Sequence, residues 1–410
     1  MTKNVHGSVR LPGSKSESNR LLMIAAYGGF PLETTGLSEA HDTVLLQQLL
    51  RQIAHAQLGI PHHIDCEDAG TVARFLLTYL SCRKGEWVVT GSKRLQQRPM
   101  GPLIAALRQL GAHVNCLERE GQLPVFVKGH ALEGGAVTVD SSQSSQFASS
   151  LLLAAPVWKK GLSLSLAGGV ASLPYLEMSL SMMRFFGAEV FHDNNAITVC
   201  PGAYVSRRFK VAADWSSASS WYMLAALSDE CSLLLEGLQP EGLQGDRKLV
   251  DFFENLGVDT RFEEHGARLV KRIAPLEKTL PLHFDISDTP DLFPALFSTC
   301  VALHVPAVFH GTRNLSLKES DRVESMILEL SKLYTFINII EDNEIVVEKS
   351  FGKLSNPNNH IIEFDTHLDH RIAMALAPFK LRLGSVSFDH PEVVAKSYPG
   401  YWAEFEKVVK

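Results

Sequence analysis

The chain has 410 residues, of which 45% are hydrophobic and 20% are charged. This composition excludes disordered and collagen-like chains and predicts a soluble protein with enough core for two domains. Because the formal net charge is -6, nothing attracts the chain as a whole to nucleic acid or anionic membranes, and an anionic ligand needs a local cluster of basic residues.

The six cysteines lie far apart and form no CxxC pair, so we expect reduced thiols rather than a zinc or dithiol site. The N-terminal segment MTKNVHGSVRLPGSK lacks the apolar run of a signal peptide. A cytoplasmic location is therefore the expectation, with neither membrane nor nucleic acid as a partner.

One pattern recurs six times along the chain: a short strand, a polar turn and an apolar helical stretch. In chain order the copies begin at Val9, Ile64, Val137, Phe209, His283 and Ile361. A second pattern, in which a helix ends at a glycine before a new strand, recurs at Gly111, Gly187 and Gly257. Together they predict six units of strand, helix, strand, helix, strand, although a chance series of amphipathic segments would also alternate in this way.

The polar turns predict where an anion would bind. If the units pack in two groups of three, the N-termini of the first helices converge, and helix N-termini attract anions through their free N–H groups. The Gly, Pro and Asn content of residues 349–360 instead predicts a loop.

The first turn, Gly13-Ser14-Lys15-Ser16, does not have the GxxxxGK[ST] spacing of a phosphate loop. Lys15 and Arg20 could bind an anion or be solvated surface charges, and this segment alone does not decide between them. Further basic residues follow at the later turns, namely Arg74, Arg98, Lys318, Arg322, Arg371 and Lys396. Their recurrence in an acidic protein favours a pocket for more than one anionic group.

Two carboxylates stand among these cations, Asp291 and Glu319. An acid surrounded by cations has a depressed pKa and can serve as a base, so proton transfer is the functional interpretation. The alternatives are a helix-dipole role for Asp291 and a surface ion pair for Glu319. We expect Asp321 and Asp369 to orient Arg322 and His370.

Other motifs are less specific. The runs Ser144-Ser145-Gln146 and Ser172-Leu173-Pro174-Tyr175 suit a hydroxylated or phosphorylated ring but also resemble ordinary helix caps. His367 and His370, with their neighbouring aspartates, form an HxxH without a third ligand of fitting spacing. The GxGxxG, HExxH and GxSxG motifs are all missing from the sequence.

Ten segments, taken in order, resemble the signature segments of the EPSP synthases, which are enolpyruvyl transferases. They are LPGSKSESNRLLMIAA, DAGTVARFL, RPMGPLIAALRQLGA, SSQFASSLLLAAP, SLPYLEMSLSMMRFFGAEV, DWSSASSWYMLAA, PDLFPAL, LKESDRVESM, DHRIAMALAPF and AKSYPGYW. The resemblance extends from Val9 to Trp402 and is colinear, which makes it specific.

The resemblance implies an α/β fold, namely a two-domain inside-out α/β barrel with six repeats of a βαβαβ-type unit, three in each domain. One domain, mainly for shikimate 3-phosphate, would span residues 14–212, and the other would combine residues 1–13 with 213–410. The active site would lie in the cleft between them. The protein would be a monomer without a metal or redox cofactor, and a glyphosate target.

The resemblance also implies a role for each matched residue. Phosphoenolpyruvate would be bound by Lys15, Gly70, Arg98, Gln146, Arg322, Arg371 and Lys396. Shikimate 3-phosphate would be bound by Lys15, Ser16, Arg20, Ser144, Ser145, Gln146, Ser172, Tyr175, Asp291, Asn314 and Lys318. Asp291 would take the proton of the 5-hydroxyl, and Glu319 with Lys15 would transfer protons at the methylene carbon of phosphoenolpyruvate.

Two residues depart from the family pattern: Asp68 stands where most members have Asn, and Phe75 replaces a Pro. They put the response to glyphosate in doubt, although Gly70 is typical of sensitive enzymes. The alternatives are the sister enzyme that acts on UDP-N-acetylglucosamine and an inactive anion-binding homologue. The first usually has a reactive loop cysteine and an N-terminal Lys-Asn pair, where this chain has Lys15-Ser16.

Overall fold

The computed structural model describes residues 3–273, 280–333, 338–340, 344–347 and 361–409, and the predicted loop at 349–360 lies outside them. The α-helices in these ranges are α1 Lys15–Gly28, α2 His41–Ala54, α3 Gly70–Cys82, α4 Lys93–Gln97, α5 Gly101–Gln109, α6 Ser145–Ala154, α7 Leu173–Phe185, α8 Trp215–Leu227, α9 Leu249–Glu254, α10 Phe293–Leu303, α11 Arg322–Ser331, α12 His370–Leu376, α13 Lys380–Leu383 and α14 Tyr401–Val408.

The strands in the same ranges are β1 Asn4–Arg10, β2 Thr34–Thr35, β3 Pro61–Asp65, β4 Gly85–Thr90, β5 His113–Cys116, β6 Val125–Gly129, β7 Gly135–Asp140, β8 Leu162–Ala167, β9 Val190–Asp193, β10 Ala196–Val199, β11 Phe209–Lys210, β12 Glu230–Glu236, β13 Val258–Glu263, β14 Gly266–Lys271, β15 Leu282–Asp285, β16 Ala307–His310, β17 Asn338–Ile340, β18 Glu344–Val347, β19 Ile362–Phe364 and β20 Val386–Phe388.

The chain folds into two compact units. The first-to-last unit combines residues 1–14 with 212–410, and the inserted unit comprises residues 15–211. The chain therefore passes from one unit to the other twice, after Ser14 and after Val211.

The inserted unit contains three repeats. Two have four-stranded sheets, in the orders β3-β4-β6-β5 and β7-β8-β10-β9, and the third is reduced to the two strands β11 and β2. In each four-stranded sheet the first two strands are parallel and the last two pair antiparallel. One sheet face is buried and the other exposed, as in the alternating burial of β7, because the helices cover only one side.

The first-to-last unit has the same plan. Its four-stranded sheets have the orders β1-β12-β14-β13 and β15-β16-β18-β17, and its reduced repeat pairs β19 with β20. The four complete repeats thus carry one strand more than the predicted βαβαβ unit. Gly111, Gly187 and Gly257 have φ of 91°, 91° and 81° and lie between α5 and β5, α7 and β9, and α9 and β13. This confirms the predicted glycine helix ends.

Two of the six predicted junctions join elements of different repeats. Strand β1 precedes α1 in the sequence but pairs in parallel with β12, which follows α8. Strand β11 precedes α8 but pairs with β2, which follows α1. The periodic pattern could not show this exchange, because both strands have the same local appearance.

The first helix of each repeat lies in the core of its unit. All 13 residues of α8 and all seven of α12 are buried, and both pack against α10. The helices α1, α3 and α6 likewise pack against one another in the inserted unit. A helix that is buried on every side needs small or apolar residues throughout, which explains the Ser- and Ala-rich sequence WSSASSWYMLAAL of α8. Among the helices described, none has the length and apolar character of a membrane span.

Candidate active site

In the inserted unit, several predicted site residues lie at helix starts. Lys15, Gly70 and Ser145 are the first residues of α1, α3 and α6, and Ser172 immediately precedes α7. Two hydrogen bonds join the starts of α3 and α6: Gln146 accepts from Arg74 at 2.9 Å and donates to the Thr71 hydroxyl, also at 2.9 Å. Helix N-termini held together in this way favour an anion.

We call Lys15, Arg20, Arg74 and Arg98 the cation cluster. The Lys15 ammonium donates to the buried Asp42 carboxylate at 3.0 Å, which fixes its direction. Arg74 also donates to the Pro99 carbonyl at 3.1 Å, and the side chain of Arg98 is only 8% exposed. Lys15 and Asp42 thus form an ion pair in which both side chains are largely buried.

Gly70 makes room for two guanidinium groups. A Cβ atom at this position would lie 2.8 Å from Nη1 of Arg74 and 2.8 Å from Nη1 of Arg98. Both distances are shorter than van der Waals contact, so any side chain here would displace a cation. Glycine is therefore required by space rather than by backbone conformation.

Arg20 is buried and ties α1 to α7. Its guanidinium donates to the Ser179 hydroxyl at 2.7 Å, the Tyr175 carbonyl at 2.9 Å and the Ser16 carbonyl at 3.0 Å. Its charge lies 5.6 Å from the centre of the Phe75 ring. Burial lowers the pKa of Arg20 to about 10, so the group is still protonated at neutral pH.

The predicted serines of this unit lie at or just before helix starts. The Ser144 hydroxyl accepts from the backbone N–H of Gln146 at 3.2 Å, and Ser145 is buried in the first turn of α6. Ser172 has left-handed backbone angles, with φ of 57°, and its backbone carbonyl accepts from the Tyr175 N–H at 3.1 Å. The chain thus brings both predicted serine runs to helix starts.

In the first-to-last unit, Arg322 joins three carboxylates. It donates to Asp291 at 2.7 Å, to Asp369 at 2.8 Å and to Glu319 at 3.1 Å. Arg371 adds a contact to Asp291 at 3.5 Å. We call these five residues the ion-pair cluster. Arg322 and Asp369 are 1% and 0% exposed, whereas Asp291 retains 26% exposure, so Asp291 is the accessible acid.

Electrostatics keep Asp291 ionised. Burial alone would raise the pKa of its carboxyl, but Arg322, Arg371 and Lys318 outweigh that effect and lower the pKa well below its usual range. Lys318 lies 4.0 Å from the same carboxylate. Asp291 does precede a helix and Glu319 does form an ion pair, as the alternative interpretations from the sequence required. Both residues nevertheless belong to the ion-pair cluster.

Three more predicted residues lie at the ends of short helices of the same unit. Asn314 and Lys318 flank a short 3₁₀ helix, Leu315–Leu317, and Lys396 ends another, Pro391–Lys396. Nε and Nη1 of Arg371 are buried and have no hydrogen-bond acceptor among the described residues. A buried guanidinium with donors left over is suited to bind an anionic ligand.

Residues 1–405 match the family model of EPSP synthase (3-phosphoshikimate 1-carboxyvinyltransferase). The chain belongs to this family.

Curated relatives of the same name agree. The 3-phosphoshikimate 1-carboxyvinyltransferase of Bacteroides fragilis is 37% identical over 404 residues, which cover 98% of this chain and 95% of the relative. That of Syntrophobacter fumaroxidans is 34% identical, with 98% and 97% covered. The solved EPSP synthase of Acinetobacter baumannii has a TM-score of 0.76 at 26% identity, covering 99% of this chain and 96% of that one. The predicted family and its two-domain inside-out α/β fold are confirmed.

One predicted interaction in this EPSP synthase family member was wrong. Asp321 does not orient Arg322 but caps α11, where it accepts from the backbone N–H groups of Val323 and Glu324. Asp369 lies 3.5 Å from Nδ1 of His370, its predicted partner. It also accepts from Arg322 at 2.8 Å, which was not predicted, and caps α12 by accepting from the Arg371 N–H at 2.9 Å. The sequence did contain the signal for Asp321, since an aspartate just before a helix is a common N-cap.

His367 and His370, which the sequence analysis considered as a metal-binding pair, lie in different surroundings. His367 lies 3.2 Å from Glu329, and His370 lies in the first turn of α12. Within the described ranges, no three His, Cys, Asp or Glu side chains are grouped to hold a metal ion.

Two buried carboxylates beside the EPSP synthase signature residues escaped the sequence analysis. Asp42 orients Lys15 from α2, and Asp246 accepts a hydrogen bond from Ser216. Burial, together with the nearby Asp291, raises the pKa of Asp246 to about 7. In the sequence, Asp246 stands in the segment Gln244-Gly245-Asp246 before α9. This segment looks like an ordinary polar loop and gave no signal of a buried carboxylate.

Proposed function

We propose that this chain transfers the enolpyruvyl group of phosphoenolpyruvate to the 5-hydroxyl of shikimate 3-phosphate, releasing phosphate, in the shikimate pathway of aromatic amino acid biosynthesis. The observation that carries the proposal is the match of residues 1–405 to the EPSP synthase family. The curated relatives carry the same activity in their names. The two clusters supply the chemistry that this reaction needs.

The reaction needs cations more than a nucleophilic side chain. The enol phosphate carbon becomes electrophilic when the methylene carbon is protonated, and the 5-hydroxyl loses its proton as it attacks. Phosphate then leaves the tetrahedral intermediate by C–O cleavage, and the new methyl group loses a proton to restore the double bond. No P–O bond breaks in these steps. The chain's own contribution is then to position two anions and to stabilise oxygens that become more negative.

The cation cluster is suited to the anions. We assign phosphoenolpyruvate to Lys15, Gly70, Arg98, Gln146, Arg322, Arg371 and Lys396. We assign shikimate 3-phosphate to Lys15, Ser16, Arg20, Ser144, Ser145, Gln146, Ser172, Tyr175, Asp291, Asn314 and Lys318. Arg20 already donates three N–H groups to protein acceptors, so two of the five N–H groups of its guanidinium serve the ligand.

The ion-pair cluster is suited to proton transfer. Asp291 is ionised and one-quarter exposed, so it can accept the proton of the 5-hydroxyl. Glu319 and Lys15 transfer protons at the methylene carbon. Asp42 holds the Lys15 ammonium in one direction, which fits a donor that must meet a single carbon atom. We further propose that the enzyme acts as a cytoplasmic monomer, without a metal or redox cofactor.

Phosphate release tests the activity directly. Purified, EDTA-treated protein is mixed with phosphoenolpyruvate and either shikimate 3-phosphate or UDP-N-acetylglucosamine. We expect phosphate only with shikimate 3-phosphate. Release only with the sugar nucleotide would identify the sister transferase, and no release with either acceptor would identify an anion-binding homologue.

A further inference from the structure

A pair of histidines lies on the outer face of the sheet formed by β15, β16, β18 and β17, outside both clusters. His283 is on β15 and His310 ends β16, two parallel neighbours, and β18 places Glu344 opposite His310. The intervening residues Phe284 and Phe309 are buried in the core. Since side chains alternate between the faces of a sheet, His283, His310 and Glu344 share the solvent face.

The two rings face each other through nitrogen atoms. Nδ1 of His283 lies 3.2 Å from Nε2 of His310, and the rings are nearly parallel, with an interplanar angle of 11°. Two imidazole nitrogens bound to one tetrahedral Zn²⁺ at about 2.0–2.1 Å are themselves about 3.3 Å apart. The separation between these nitrogens therefore already matches that of two ligands on one ion.

Glu344 fixes the tautomer of one ring. Its carboxylate lies 2.8 Å from Nδ1 of His310, so Nδ1 donates to it and Nε2 keeps a lone pair directed at His283. Metal-bound histidines typically donate their second ring N–H to a carboxylate in this way. Asp285, paired in register with His310, adds negative charge at the same strand end.

We propose that His283 and His310 chelate a divalent transition metal ion such as Zn²⁺, with water in the remaining coordination positions and Glu344 as a positioning residue. Imidazole is a preferred ligand of Zn²⁺, Cu²⁺ and Ni²⁺. Both strands lead directly into the turns that carry Asp291 and Asn314, so a bound ion would cross-link the supports of the ion-pair cluster. The proposal does not depend on the proposed activity.

Isothermal titration with ZnCl₂ tests the site, on full-length protein without an affinity tag, stripped with EDTA and then freed of it. We expect one tight Zn²⁺ per chain. His283→Ala and His310→Ala should each abolish this binding, and Glu344→Gln should weaken it about 10–100-fold while leaving the stoichiometry at one.

The His113–His130 pair provides the matched control. Its rings are also close, with centroids 4.9 Å apart but tilted by 39°, and His130 contacts a backbone carbonyl rather than a carboxylate. His113→Ala should retain the Zn²⁺ affinity of the parent. Failure of the parent protein to bind Zn²⁺, survival of binding in His283→Ala, or equal loss in His113→Ala would each overturn the proposal and leave an N–H···N hydrogen bond as the role of the pair.

Discussion

The cation cluster and the ion-pair cluster both contain arginines, but the arginines have different partners. In the first, Arg20 and Arg74 donate to hydroxyl, amide and carbonyl oxygens, and Lys15 pairs with one carboxylate. In the second, Arg322 alone contacts three carboxylates.

The contrast affects what each guanidinium can do. A guanidinium oriented by neutral acceptors keeps its full charge for an incoming anion. A guanidinium neutralised by carboxylates attracts an anion less, but it holds those carboxylates ionised, as the low pKa of Asp291 shows. The ion-pair cluster thus contributes the ionised acids, whereas both clusters contribute proposed anion ligands, and the changes below test this difference.

The largest effect is expected at Asp291. Asp291→Asn keeps the shape of the side chain but removes the base, so kcat should fall about 10²–10⁴-fold. Binding of shikimate 3-phosphate, measured by titration calorimetry, should persist. Asp288→Asn changes an aspartate three residues away in the same turn and should keep normal turnover. Near-normal kcat in Asp291→Asn would remove Asp291 from the mechanism.

The second effect is on stability. Arg322→Ala leaves three carboxylates of the ion-pair cluster without their shared cation, which should lower the free energy of unfolding by about 3–5 kcal/mol. Urea unfolding of the variant measures it. Arg261→Ala, at an exposed position of β13 in the same unit, should change the free energy by less than about 0.5 kcal/mol. Equal effects of the two changes would contradict a central role for Arg322.

Asp246 adds a pH dependence to the same unit. Because its pKa is raised to about 7 in the folded protein, the folded state binds a proton that the unfolded state loses near pH 4. Its contribution to stability is therefore present below about pH 4 and lost as the pH rises to about 7. Across that pH range, the free energy of unfolding of Asp246→Asn should rise relative to that of the parent by up to about 1.4 kcal/mol per pH unit. A pH-independent difference between the two unfolding curves would contradict this pKa.

In the cation cluster, Gly70→Ala should have a steric effect. The new methyl group would displace the guanidinium of Arg74 or Arg98, so we expect the Michaelis constant for phosphoenolpyruvate to rise roughly tenfold, or about 1.4 kcal/mol. Gly202→Ala is the control, since nothing lies within 4 Å of its added Cβ. An unchanged Michaelis constant in Gly70→Ala would indicate that the two arginines do not bind this substrate.

The smallest effect is expected at Asp68, just before α3. Its carboxylate accepts a hydrogen bond from Ser92 and adds negative charge near the start of the helix. Asp68→Asn keeps the hydrogen bond and removes the charge, so the Michaelis constant for phosphoenolpyruvate should fall a few-fold, and less at high salt. Glu118→Gln removes one negative charge at an exposed position and should leave the Michaelis constant unaltered. An unchanged or raised constant in Asp68→Asn would contradict the idea.

The repeat pattern predicted the helices that position the site, because each polar turn before an apolar stretch carries its own local signal. It did not predict which strands pair, since β1 and β11 look alike in sequence and their partners lie far along the chain. Likewise, the sequence analysis identified the basic and acidic residues of the polar turns, but it missed Asp42 and Asp246. Only tertiary packing brings these distant carboxylates beside Lys15 or Arg371.

The pairing of β1 with β12 also determines when β1 can fold during synthesis. Asn4 and its partner Glu230 are 226 residues apart, whereas every residue of the inserted unit emerges between them. At a translation rate of about 5–20 residues per second, β1 would wait roughly 10–45 seconds on the ribosome before its partner strand exists. The inserted unit completes its sequence before that interval ends, while β1 is still an unpaired strand that exposes its backbone N–H and C=O groups.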